Sequence, residues 1–170
     1  MLIFDLECDG LLNEVTQIHC LVVHDTETDT THTYNDQGNT DPTVRGIQTL
    51  ADADCICGHN IIGFDIAVIQ RLYPWFTYKQ AIDTLLLSRL IHSNMMSVDK
   101  KRNWKQMPLQ LYGRHSLESY GYRLGAYKGN FGKTADWMNW SQEMEDYCVQ
   151  DVEVTKKLVR HFDKKLNELT

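Results

Sequence analysis

The stretch MLIFDLECDG, residues 1–10, places two carboxylates inside an apolar run that is typical of a buried β-strand. Strand side chains alternate between two faces, so Asp5 and Glu7 share a face with Ile3, while Phe4 and Leu6 lie on the other. Like charges this close repel each other, and a cation bound between them relieves the repulsion. A strand with one solvated face gives the same pattern, so the stretch alone leaves both interpretations open.

Length and composition predict one globular domain. The chain has 170 residues, 42% of them hydrophobic and 24% charged. It lacks an apolar run of about 18 residues and a secretory signal pattern, so we expect no membrane span and a cytoplasmic location. The five cysteines are an odd set without zinc-site spacing, which favours reduced thiols.

The charge is unevenly distributed along the chain. The net charge is −6, yet residues 97–133 sum to +6 and the remainder to −12. A basic segment on an acidic protein marks either a surface that binds a polyanion or a solvated loop with scattered lysines. The sequence does not choose between these two.

The apolar pattern predicts a mixed α/β domain. We expect strands over residues 1–8, 16–24, 31–34 and 55–58, with the first three antiparallel. We expect helices over residues 42–53, after Asp65, and over residues 83–92, 115–125 and 141–169. Residues 93–113 and 126–139 lose periodicity and are predicted to be loops.

Two further acids occupy distinctive positions. Asp65 opens a helix directly after a glycine-containing turn. Capping the start of the helix is enough to explain an aspartate at this position. Asp151 lies four residues after Tyr147 on a stripe that continues through Val154 and Leu158. An acid within an apolar stripe is costly to bury unless it is paired or binds metal, although an acid at the solvated edge of the stripe avoids that cost.

Taken together, these acids occur in the order of a known set of motifs. MLIFDLECDG, GHNIIGFDIAVI (58–69) and YCVQDVEVT (147–155) resemble the three exonuclease motifs of the DEDD superfamily, in its tyrosine subtype. The segments AIDTLLLSRLIHSN (81–94) and GRHSLESYGYRLGAYKG (113–129) resemble the proofreading domain of phage-type family A DNA polymerases. The resemblance covers essentially the whole chain.

The resemblance implies a ribonuclease H-like (DnaQ-like exonuclease) fold, a mixed β-sheet flanked by helices. Residues 1–170 are expected to form a single 3′–5′ exonuclease domain, with no polymerase domain in this chain. This departs from the family, in which the exonuclease region leads into a polymerase domain, so both a free-standing exonuclease and an excised domain stay open. If a phage encodes it, the expected location is the host cytoplasm. The expected reaction is metal-dependent hydrolysis at the 3′ end of single-stranded DNA, which releases nucleoside monophosphates during replication proofreading or DNA degradation. Two divalent ions, Mg²⁺ or Mn²⁺, are the expected cofactors, because both prefer carboxylate oxygens.

The resemblance also implies roles for individual residues. The expected metal ligands are Asp5, Glu7, Asp65 and Asp151, and Tyr147 completes the catalytic set by orienting the attacking water. The expected contacts to the 3′-terminal nucleotide are Gly10, Leu11, Asn60 and Phe64. We expect Trp104 and Tyr112 of the basic loop to stack bases, and we expect structural roles for His59, His92 and His115.

Three questions of function stay open at this point. A DNA polymerase supplied in trans is an expected partner besides the single-stranded 3′ end. An exonuclease of the same superfamily that trims RNA or short oligonucleotides is the first alternative, because contacts to the 2′-OH are not visible in a sequence. A non-catalytic module that docks on a polymerase is the second, although it has no use for four costly acids.

Overall fold

The computed structural model describes residues 1–127 and 136–169. Five strands form one mixed sheet in the order β3-β2-β1-β4-β5. The strands are β1 (Leu2–Cys8), β2 (Ile18–Asp25), β3 (Thr30–Asn35), β4 (Ile56–Gly58) and β5 (Ala81–Asp83). β1 pairs antiparallel with β2 and parallel with β4, so the strand that bears the two acids is central.

Helices cover both faces of this sheet. They are α1 (Thr43–Asp52), α2 (Ile66–Leu72), α3 (Thr84–Ile91), α4 (Met95–Arg102), α5 (Leu117–Arg123) and α6 (Gln142–Leu169). A π-helical turn, Ile61–Asp65, leads into α2, and a 3₁₀ turn, Leu109–Leu111, follows α4. The fold is that of an α/β protein with a mixed sheet, as the sequence predicted.

The alternation of β1 builds two cores. Phe4 and Leu6 belong to one core, which includes Ile47 of α1 and Val68 of α2. Ile3 belongs to the other, which lies against α6. Because strand side chains alternate, Asp5 and Glu7 follow Ile3 onto the α6 face, so the predicted shared face is confirmed.

The prediction of a loop over residues 93–113 is wrong in part. α4 occupies Met95–Arg102 and the 3₁₀ turn occupies Leu109–Leu111. α4 buries only Met95 and Asp99, so it has no apolar stripe that could have revealed it in the sequence. The short β5 was also missed, since the prediction gave this part of the chain only a helix, over residues 83–92.

Other predictions concern the whole chain. The five cysteines are free thiols, four of them buried. None of the helices within the described residues is long and apolar enough to span a membrane. Lys128 and Lys133 of the basic segment, and most of the predicted loop at 126–139, lie outside the described residues.

Candidate active site

The two acids of β1 are half-buried beneath α6. In the ladder with β2, Asp5 is opposite Val22 and Glu7 is opposite Cys20. The register shifts after Glu7, so β1 leaves regular pairing where the acidic pair ends. The acids therefore lie on a central strand near its carboxyl end, a position that loops can reach but that the sheet holds rigid.

A third side chain, Cys148 of α6, joins the acidic pair. Its thiol donates a hydrogen bond to Asp5 Oδ2 at 3.5 Å. The ligand atoms of Asp5, Glu7 and Cys148 all lie within 4.8 Å of one another. Burial, and then the neighbouring Cys20 and Asp5, raise the pKa of the Cys148 thiol far above its usual range, so this sulfur stays protonated.

Sequence reasoning missed Cys148. The available signal was its position three residues before Asp151, which puts both side chains on adjacent parts of one helical face. Cysteine is usually buried as a small apolar residue, so that spacing alone does not indicate a site.

Asp65 ends the π-helical turn and is only 5% exposed. Its Oδ2 atom is buried and has no hydrogen-bond partner among the described residues. The pKa of Asp65 is raised to about 8, chiefly by burial and to a smaller extent by the charges of Asp83 and Asp151, against the opposing effect of the backbone N–H groups of Asp65 and Leu6. The carboxyl group therefore lies against Leu6 of β1, and its buried Oδ2 atom is left without a hydrogen bond from the described residues.

The predicted stripe of α6 is confirmed. Asp151, Val154 and Leu158 are buried, and Tyr147 is half-buried one turn before Asp151. Asp146, the residue before Tyr147, is exposed and accepts a hydrogen bond from Gln142 Nε2. Helix α6 packs on β1 through the neighbouring face that bears Cys148 and Val152, whereas Val154 and Leu158 pack with residues of α4 and α5.

Asp83 arranges the loop between β4 and the π-helical turn. Its carboxylate accepts from the backbone N–H of Asn60 at 2.9 Å and of Ile62 at 3.0 Å. The same side chain caps α3 by accepting from Leu85 N–H. Asn60 has φ of 61°, a left-handed conformation that costs an ordinary residue energy but that asparagine tolerates. The sequence placed Asp83 only at the start of a predicted helix and did not indicate that it also holds the preceding loop.

The histidines have the structural contacts that were expected. His59 bridges Thr84 Oγ1 and the carbonyl oxygen of His115 at 2.8 and 2.9 Å. His92 Nε2 lies 2.8 Å from His161 Nε2, and burial lowers the pKa of His92 to about 4. None of the three lies in the acidic group formed by the described residues.

A cleft of about 370 Å³ opens beside Glu7. It is lined by Leu6, Glu7, Cys8, Gly10, Leu11, Glu14, Phe64 and Trp137. The structure therefore brings together three of the four residues expected at the 3′ terminus, while Asn60 lies outside the lining. The Cys8 thiol donates to the Gly10 carbonyl oxygen at 3.2 Å, and Leu11 is 71% exposed at the mouth.

Trp137 forms one wall of this cleft, and the sequence did not indicate that role. It comes from the segment before α6, and its carbonyl oxygen lies 2.8 Å from Nε2 of the buried His19 in β2. Tyr112, by contrast, is buried and donates its hydroxyl to the Trp104 carbonyl oxygen, so the expectation that Tyr112 stacks bases is wrong.

The acids fit a site for hard divalent cations. The donors at the end of β1 are carboxylate oxygens, which Mg²⁺ and Mn²⁺ prefer, and the open Oδ2 of Asp65 offers one that no protein group among the described residues satisfies. A buried carboxyl with a raised pKa gains from a cation, because the cation favours its charged form.

The chain is homologous to two phage DNA polymerases. It is 33% identical over 184 residues to the DNA-directed DNA polymerase of Enterobacteria phage T3. It is 34% identical over 185 residues to that of Escherichia phage T7. Each match covers 94% of this chain but only 26% of the polymerase, so the chain spans about a quarter of these relatives. No protein-family model matches the chain.

Solved structures of nucleases share its fold. Brucella melitensis NrnC with bound Mg²⁺ matches with a TM-score of 0.65, 17% identity, and coverage of 98% of this chain and 73% of NrnC. Escherichia coli RNase D matches with 0.63 and 14%, covering 98% and 40%. The zinc-bound E. coli ExoI–ssDNA complex matches with 0.58 and 15%, covering 99% and 42%. These likenesses establish the ribonuclease H-like, DnaQ-like fold.

Proposed function

We propose that this chain, a homologue of one region of the phage T3 and T7 DNA polymerases with the fold of the DEDD exonucleases, is a metal-dependent 3′–5′ exonuclease on single-stranded DNA. The observation that carries the proposal is the acidic pair of β1 beside a nucleotide-sized cleft. The released products are nucleoside monophosphates, and the expected roles are proofreading or DNA degradation.

Four acids would hold two divalent ions, Mg²⁺ or Mn²⁺: Asp5, Glu7, Asp65 and Asp151. Such ions activate a water at neutral pH and stabilise the charge that develops on the attacking and leaving oxygens. The acids come from a central strand, a π-helical turn and a long helix, so sheet and helix packing hold their geometry without help from a flexible loop.

The other residues act on the substrate and the water. Tyr147 orients the attacking water through its hydroxyl group, one helical turn from Asp151. Leu11 and Phe64 bracket the terminal nucleotide in the cleft, with Gly10 leaving room beside them. Asn60 contacts the sugar or phosphate of the strand from the loop that Asp83 arranges.

The proposal treats residues 1–170 as one exonuclease domain that acts in the cytoplasm, with a DNA polymerase as its partner in trans. Homology to DNA polymerases supports DNA as the substrate, whereas the likeness to RNase D concerns the fold alone. A single-stranded 3′ end fits a cleft that is open on one side and walled by apolar and aromatic side chains.

The test follows products from 5′-labelled single-stranded DNA with Mg²⁺, with Mn²⁺ and with EDTA. Wild-type protein produces a ladder that shortens from the 3′ end and requires metal. Asp5→Asn abolishes the ladder, because a neutral amide replaces a carboxylate donor, whereas Asp25→Asn at the far end of β2 leaves it intact. Full activity in Asp5→Asn, or no product from wild type with either metal, contradicts the proposal.

A matched RNA strand in the same assay identifies the substrate. Preferential cleavage of DNA is expected, and preferential cleavage of RNA would replace DNA as the substrate while leaving the chemistry unchanged. Tight binding of the strand without hydrolysis would identify a non-catalytic module instead.

A further inference from the structure

The basic residues at the end of α4 form a defined surface. This α4 basic surface consists of Lys100, Lys101, Arg102, Trp104 and Lys105. The four cationic side chains are exposed, and a cleft of about 560 Å³, lined by residues 102–107 and Tyr122, opens among them. Neither the proposed catalytic acids nor the nucleotide cleft includes any of these residues.

The positive charge of the surface is not offset by Asp99, the acidic residue of α4. Asp99, on the same helix, is 0% exposed and accepts two hydrogen bonds from Arg123, from Nε at 3.0 Å and from Nη2 at 2.6 Å. That carboxylate is therefore neutralised inside the protein. In the part of the chain that the structure describes, none of the four cations of the α4 basic surface forms an ion pair.

The surface is also preorganised. Asp99 accepts from the indole Nε1 of Trp104 at 2.9 Å and from Gly113 N–H at 2.8 Å, so one buried carboxylate fixes both ends of the turn after α4. Gly113 has φ of 77°, which favours glycine at that position. The Arg102 guanidinium lies 4.8 Å from the centroid of the Trp104 ring. A solvated loop needs no such framework, whereas a binding surface gains affinity from it.

The surface lies within reach of the active site. Trp104 lines a second cavity together with His161 of α6, and ten residues of that helix, about 15 Å, separate His161 from Asp151. The Arg123 guanidinium stacks on Tyr120, whose ring contacts His59, the neighbour of Asn60. Packed side chains therefore connect the α4 basic surface to the loop beside the catalytic acids.

We propose that the α4 basic surface binds the single-stranded nucleic acid upstream of the terminal nucleotide, contacting backbone phosphates with its lysines and arginine. This inference rests on the proposed function, because it takes the strand in the cleft as its starting point. Clustered cations with aromatic rings bind single strands without sequence preference, since every nucleotide has a phosphate and a base face. The surface thus makes affinity depend on the length of the strand.

The test measures binding of a 5′-fluorescent oligothymidylate of about 16 nucleotides by anisotropy in EDTA, at several NaCl concentrations. Lys101→Gln/Lys105→Gln is compared with Lys157→Gln/Lys164→Gln, which removes the same charge from exposed positions of α6. Log affinity falls linearly with log salt, and each lost phosphate contact makes this slope less steep by about 0.7. The first variant should lose about 1.4 of slope and about 25-fold of affinity at about 0.1 M NaCl, and the control should lose neither.

Hydrolysis of a thymidine dinucleotide with Mn²⁺ supplies the second measurement. In this proposal a dinucleotide occupies only the nucleotide cleft, whose lining shares no residue with the α4 basic surface, so its kcat/KM should be the same in wild type and both variants. The inference is overturned if the two variants lose affinity equally, or if the salt slope of Lys101→Gln/Lys105→Gln equals that of wild type. It is also overturned if that variant loses as much kcat/KM on the dinucleotide, or as much affinity for a duplex of the same length, as it loses affinity for the single strand.

The two proposals fail in different ways. Binding in EDTA does not depend on catalysis, so the salt slopes decide the inference even if no strand is hydrolysed. Failure of the proposed function would appear as wild-type protein that cleaves neither the long strand nor the dinucleotide with any metal.

Discussion

Replacing Asp65 by asparagine should remove the pH dependence that this residue imposes on the stability of the metal-free protein. The pKa of Asp65 is raised from 3.8 to about 8 by burial. Below pH 4 both folded and unfolded states hold the proton, so the folded state bears no cost. As pH rises toward 8, the unfolded state releases the proton while the folded state retains it, so the free energy of unfolding falls.

The magnitude follows from the shift. A tenfold change in a protonation equilibrium corresponds to about 1.4 kcal/mol, so raising the pKa from 3.8 to about 8 costs the folded state on the order of 6 kcal/mol once pH exceeds 8. Between about pH 5 and pH 7 the loss is about 3 kcal/mol. The asparagine side chain is of similar shape and does not titrate, so Asp65→Asn should lack this loss.

Urea denaturation in EDTA at several pH values measures both proteins. The free energy of unfolding of Asp65→Asn minus that of wild type should rise by about 1.4 kcal/mol per pH unit across this range. Asp163→Asn, an exposed position on α6, is the matched control and should run parallel to wild type. Parallel profiles for Asp65→Asn and wild type would refute the argument that burial keeps this carboxyl protonated.

Four further changes test other parts of the structure. Mn²⁺ at about 100 times its Kd should stabilise wild type by about 3 kcal/mol and raise the melting temperature, and Asp5→Asn should reduce that rise. Arg123→Met should lower the free energy of unfolding by about 3–5 kcal/mol in urea titrations, because it leaves Asp99 buried without its partner. Trp137→Ala should raise KM for single-stranded DNA in steady-state assays, since it removes a wall of the cleft. Cys148→Ala should retain Mg²⁺-dependent hydrolysis in the same assay, because a protonated thiol is a poor ligand for Mg²⁺.

Matched substitutions serve as controls for these changes. Arg114→Met removes an exposed arginine and should cost little stability, and Trp75→Ala removes an exposed tryptophan away from the cleft. Cys55→Ala removes a thiol outside the acidic group. Each prediction has an outcome that contradicts it. For the metal it is a melting temperature that does not change with Mn²⁺, and for Arg123→Met it is a stability equal to that of Arg114→Met. For Trp137→Ala it is an unchanged KM, and for Cys148→Ala it is a loss of activity.

Residues whose positions follow from local periodicity were predictable. The alternation in MLIFDLECDG assigns Asp5 and Glu7 to one face of a strand, and the fold confirms that assignment. The spacing of α6 likewise placed Asp151 on one stripe with Val154 and Leu158, and the structure shows that this stripe is buried. These predictions succeed because the period of a strand or a helix is set by backbone geometry that every sequence shares.

Residues that depend on contacts across the chain were not predictable. α4 has no apolar stripe and is held by hydrogen bonds from Trp104, Gly113 and Arg123 to Asp99. Nothing in residues 93–113 alone shows that one carboxylate organises them. The second role of Asp83 was missed for the same reason, because its partners Asn60 and Ile62 belong to a different segment.

The sequence by itself determined the α/β class, the shared face of the two acids on the first strand and the order of acids and tyrosine along the chain. Only the tertiary structure decided that Cys148 lies against Asp5, 143 residues away, that Trp137 walls the cleft and that the pKa of Asp65 is raised to about 8. Local order follows from bond geometry and side-chain period. Proximity and desolvation arise only when distant segments pack together and exclude water, so they are properties of the fold.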